Sequence, residues 1–146
     1  MIARAALAFA FVPFAANAVD AAPPRYLPEI HGQLANGRNP FPANICLRKA
    51  GSEIRQCSYT DADGRFYIPS LGKVIPESAK VGDESASAYP VFWIELGMHD
   101  DVVVRLYDVE LVDRKAQAVH LDCNISRASE QAMPCVRAPD HPLAKK

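Results

Sequence analysis

Short runs of two-residue hydrophobic alternation, cut by turn dipeptides and prolines, constrain this chain more than any other feature. Ile30 and Leu34 share one face of the first run, and Ile45 and Leu47 one face of the second. Phe66 with Ile68, and then Phe92, Ile94 and Leu96, repeat the pattern. Residues 102–112 form a further β-rich run. In 117–125, Val119, Leu121, Cys123 and Ile125 oppose His120 and Asp122. A period of two places alternate side chains on opposite faces of a strand, so each run reads as a strand with one buried face. Asn36-Gly37, Gly51-Ser52 and Asp63-Gly64 are turn signals, and Asn39-Pro40-Phe41-Pro42 cannot be helical. No helical period is sustained; residues 127–133 could form one turn or two. Pro 12 against Gly 7 suits a loop-rich β protein. The expected class is all-β, with about seven strands in a sandwich.

The first 18 residues stand outside that pattern. Arg4 gives a thin positive start, residues 5–16 are almost unbroken apolar, and Ala16-Asn17-Ala18 supplies the small-x-small site of a signal peptidase. As a helix that run rises only about 18 Å, too short for a bilayer core of roughly 30 Å. The expectation is a cleaved signal peptide at 1–18, an extended lead-in at 19–28, one β-sandwich domain at 29–136 and a polar tail at 137–146. No cysteine follows the cleavage point to carry a lipid anchor. The product is then periplasmic or secreted, with no membrane span.

A formal net charge of −1 leaves no basic excess to neutralise phosphates, so a nucleic-acid partner is not expected. With 49% hydrophobic and 23% charged residues, neither a disordered polyelectrolyte nor a polytopic membrane protein fits.

Cys46, Cys57, Cys123 and Cys135 form an even set in an exported chain, which reads as two disulfides with three possible connectivities. Local pairing, Cys46–Cys57 and Cys123–Cys135, is the simplest framework. A two-residue loop at Gly51-Ser52 sets Ala50 opposite Glu53, Arg48 opposite Arg55, and Cys46 opposite Cys57 on the outward face. Parity makes the cysteines a hydrogen-bonded pair with Cα atoms about 5.5 Å apart, within disulfide range. The facing arginines oppose this register mildly. Residues 72–89, rich in Ser, Ala, Gly, Glu and Lys, read as a long loop.

Thr60-Asp61-Ala62-Asp63-Gly64-Arg65-Phe66, together with Ile30-x-Gly32, the turn at Gly37 and Pro42-Ala43-Asn44-Ile45-Cys46-Leu47, resembles the carboxypeptidase regulatory-like domains of the transthyretin-like superfamily. The resemblance covers residues 30–71. It implies a seven-stranded Greek-key sandwich in which the Thr-Asp-x-x-Gly-x-Phe turn joins two strands. It also implies a mostly non-catalytic role in folding, docking or adhesion. Two features depart from the family pattern: the stretch 72–89 replaces a short Pro-Gly-x-Tyr turn, and the cysteines are additional. Enzymes of the superfamily carry a terminal Tyr-Arg-Gly-Ser or an iron site with closely spaced histidines, and neither signature occurs here.

Candidate chemistry is sparse. Asp61-x-Asp63-Gly64 looks like part of a calcium loop, but Tyr59 and Ser70 stand where an EF-hand needs its end ligands, and turn capping accounts for the aspartates. His99, Asp101, His120 and Asp122 are the only His/carboxylate set that could serve a metal-assisted hydrolase. Polar turns and a solvated strand face explain the same residues. No activated nucleophile accompanies them. Tyr89, Val91 and Trp93 are more informative. Phe92, Ile94 and Leu96 already supply the core face of their strand, so the apolar residues on the other face are either covered by the chain or offered to a partner. The expectation is a binding module rather than an enzyme. It needs no cofactor, and Tyr89, Val91 and Trp93 recognise an envelope or extracellular protein or glycan.

Overall fold

The computed structural model describes residues 23–53, 55–81, 84–97, 103–127 and 132–139. The signal-peptide expectation at 1–18 and most of the polar tail lie outside these residues, as do His99 and Asp101.

The regular structure among the described residues is almost entirely strand: β1 (Arg25–Leu27), β2 (Glu29–Asn36), β3 (Asn39–Pro40), β4 (Asn44–Lys49), β5 (Arg55–Tyr59), β6 (Arg65–Ile68), β7 (Gly72–Val74), β8 (Glu77–Val81), β9 (Glu84–Ala88), β10 (Phe92–Gly97), β11 (Val103–Val109), β12 (Ala118–Asn124) and β13 (Cys135–Arg137). One 3-10 turn, Ile125–Arg127, follows β12. No helix among the described residues is long and apolar enough to cross a membrane.

Two sheets carry the fold. One runs β13-β12-β2, with β6 and the short β3 sharing the far edge of β2; the other runs β11-β10-β4-β5. The β2–β12 pair is parallel, and its neighbours are antiparallel. A single apolar cluster joins the inner faces. Ile30, Leu34, Phe66, Ile68, Val119, Leu121 and Cys123 come from the first sheet; Ile45, Leu47, Phe92, Ile94, Leu96 and Leu106 come from the second. Two sheets that bury their apolar faces against each other form a sandwich. The principal strands number eight, not seven, because the return segment at Cys135 pairs with β12 as a true strand.

Further strands occupy the stretch read as a loop. β7 pairs with β1, and β8 forms a hairpin with β9. Ser- and Ala-rich strands carry little intrinsic β signal, and β7 depends on a partner 45 or more positions away, so local pattern could not reveal either. The lead-in is likewise built into the fold. Tyr26 exchanges backbone bonds of 2.9 Å with Val112, Leu27 joins the core, and Arg25 pairs with Asp113.

The motif behind the family resemblance is consumed by architecture. Thr60 Oγ1 accepts the Ala43 N–H at 2.9 Å and donates to the Phe41 carbonyl at 3.3 Å. Asp61 Oδ1 accepts the backbone N–H of Asp63 at 2.9 Å and of Arg65 at 2.8 Å, which caps the turn. Gly64 has φ +76°, and a side-chain carbon there would lie 2.2 Å from the Leu34 carbonyl oxygen. Phe66 pairs across the strands with Gly32, and its ring fills the space where a Gly32 side chain would stand.

Candidate functional site

The outer face of β5-β4-β10-β11 presents two neighbouring rows. Arg55, Arg48, Trp93 and Asp108 form one; Cys57, Cys46, Glu95 and Arg105 form the other. Glu95 is only 7% exposed although it lies on the outward side of its strand. A carboxylate so shielded needs partners. Trp93 Nε1–H donates to its Oε2 at 3.0 Å, and the Arg48 guanidinium stands 3.7 Å from its Oε1. Arg105 then lies over the indole, 4.8 Å from the ring centroid, and pairs with Asp108 at 2.5 Å. Trp93 is therefore half-buried, capped on its face and committed at its N–H.

Its two expected companions make other contacts. Tyr89 packs against the core cluster and its hydroxyl donates to the Pro23 carbonyl, tying down the start of the described chain. Val91 is 54% exposed, and its carbonyl accepts the Ala50 N–H at 2.9 Å where β4 runs into its turn. Of the three, Val91 is exposed, whereas Tyr89 and Trp93 are half-buried.

The other outer face carries a row of rings in cross-strand register: Tyr67, His31 and His120 on β6, β2 and β12. The centroids of His31 and Tyr67 are 4.8 Å apart, and those of His31 and His120 are 5.2 Å apart. His31 lies 3.6 Å from Glu29, and Asp122 lies 3.5 Å from Arg127. His120 and Asp122 thus share the outward face but are engaged with different neighbours. Among the described residues no group of three or more His, Cys, Asp or Glu side chains is arranged to hold a metal ion.

Disulfides join Cys46 to Cys57 and Cys123 to Cys135, in keeping with an oxidising compartment. The hairpin register pairs Arg48 with Arg55 and Cys46 with Cys57. Its parity is opposite to the expected one. The cysteine Cα atoms stand 4.0 Å apart, near the spacing of about 4.5 Å for a non-hydrogen-bonded pair. The last described pair of this ladder is Arg48–Arg55, and Ser52 N–H donates to the Lys49 carbonyl at 3.2 Å in the turn.

A cleft of about 610 Å³ opens beside this hairpin, a feature the sequence did not reveal. Leu47, Leu71 and Phe92 give it apolar lining, and Arg48, Lys49 and Arg55 supply cationic groups. Leu71 lies in the connection before β7 and Phe92 opens β10, so only tertiary packing unites them. Lys49 is paired with Glu77, whereas Arg55 has no carboxylate partner among the described residues.

Comparison of the chain with known protein families, curated proteins and solved structures gives no match.

Proposed function

We propose that this chain is an exported, non-catalytic β-sandwich module of the carboxypeptidase regulatory-like type. It acts by binding an envelope or extracellular protein or glycan after removal of its leader near Ala18. The supporting observation is a group of three exposed apolar side chains near one lysine. Leu71 (54% exposed), Ile75 (68%) and Val91 all belong to the end of the sandwich around Lys49: Leu71 lines the cleft beside it, Ile75 precedes its partner Glu77, and Val91 bonds to the next residue. Elsewhere on the outer faces Arg105 pairs with Asp108 and Arg127 with Asp122. Exposed apolar side chains beside a cleft support a recognition site. The sequence-level candidate Val91 belongs to this end, while Trp93 supports the sheet behind it.

A photo-crosslinking amino acid placed at position 91, in the chain expressed in its own host, tests the reading. A discrete adduct is expected from position 91 and not from position 67, on the opposite sheet. Equal adducts from both positions, or none from 91, would refute it.

A further inference from the structure

Resting on the reading of that end as the recognition surface, we infer that the cleft beside the β4–β5 hairpin binds a single-chain amphiphile with an anionic head, such as a free long-chain carboxylate. Its volume of about 610 Å³ is that of a small-molecule site. Leu47 and Phe92, on the adjacent strands β4 and β10 of one sheet, are buried side chains of the core cluster that also line this opening. Leu71 extends the apolar lining outward to solvent. A wall of that kind gains free energy by covering an alkyl chain, at roughly 25 cal/mol per Å² removed from water.

Charge selects the head group. Arg48, Lys49 and Arg55 all border the cleft. Glu95 and Glu77 offset the first two, which leaves the Arg55 guanidinium without a carboxylate partner among the described residues. Arg48 and Arg55 are also direct cross-strand partners, and like charges in that position repel. A carboxylate between them would relieve the repulsion and accept from both. A neutral alcohol would gain the apolar contact alone.

The test uses the mature chain with both disulfides intact and a dansyl-labelled undecanoic acid, displaced by dodecanoate below its micellar concentration. Displacement is expected, with dodecanol about tenfold weaker than dodecanoate. Arg55→Glu should weaken dodecanoate binding about tenfold, and Leu71→Glu at least as much. Tyr59→Glu, on the same hairpin but outside the cleft lining, should leave binding unchanged. All three positions are exposed, so thermal midpoints should stay close to that of the unchanged chain and exclude simple unfolding. No displacement, equal losses in Tyr59→Glu and Leu71→Glu, or binding seen only with anionic phospholipid vesicles would overturn the inference. Failure here with a specific adduct at position 91 intact would leave the proposed function standing; loss of both would remove both.

Discussion

Gly32 and Gly64 illustrate how a short motif commits to a fold through single atoms. A side-chain carbon on Gly32 would meet the Phe66 ring, and one on Gly64 would meet the Leu34 carbonyl oxygen. Gly37 also has a positive φ, +63°, but open space around it. Gly37→Ala should therefore cost only the left-handed backbone penalty, about 1–2 kcal/mol. Gly64→Ala should cost that plus at least about 1 kcal/mol of overpacking, since backbone cannot yield as a side chain can. Urea unfolding of the two variants gives the comparison, and equal losses would contradict the packing account. The Thr60–Phe66 run was legible in sequence as a turn, with Asp61 as its cap. That Phe66 answers the missing side chain of Gly32 was not, because the register between β2 and β6 joins residues far apart in the chain. Trp93 shows the same limit. Its type and strand position were readable, but its engagement by Arg105 depends on β10 and β11 meeting.

Strands were legible wherever one face is apolar and the other polar, as in β6, β10 and β12. They were illegible where partnership alone makes them, as in β1, β7 and the β8–β9 hairpin. In β11 a bulge opposite Ile94 and Glu95 turns both Leu106 and Tyr107 toward the core, which strict alternation forbids. That position matters for pH. Burial, and next the negative charge of Glu110, raise the Tyr107 phenol above its ordinary 10.0, with Asp108 adding and Arg137 opposing. A raised phenol favours the folded state while protonated, so the contribution is intact below pH 10 and is lost as pH rises toward the folded value. Stability should fall above that point, and Tyr107→Phe should flatten the fall; an unaltered alkaline profile would contradict this. The disulfides differ in access. Cys123 and Cys135 are both buried, whereas Cys57 is exposed. Graded reduction followed by alkylation and mass mapping should label Cys46 and Cys57 first, with a loss of about 2–3 kcal/mol for that loop. Label appearing first on Cys123 and Cys135 would contradict the exposure argument.

Across the whole molecule, two sheets enclose one core, the lead-in strand ties to β7 and Val112, and the outer faces are largely occupied by their own charge pairs and rings. The all-β class was readable because alternation is a local property. The apolar end and its cleft were not, because Leu71 joins Leu47 and Phe92 only in the folded chain. Recognition in this account resides at that end, with the family-like turn confined to architecture. Native mass spectrometry of the mature chain, recovered from its own compartment without chelator, tests this most directly. The account predicts a co-retained organic ligand or partner that is lost in Leu71→Glu. One divalent metal per chain, with no organic ligand or partner and no change in Leu71→Glu, would contradict it.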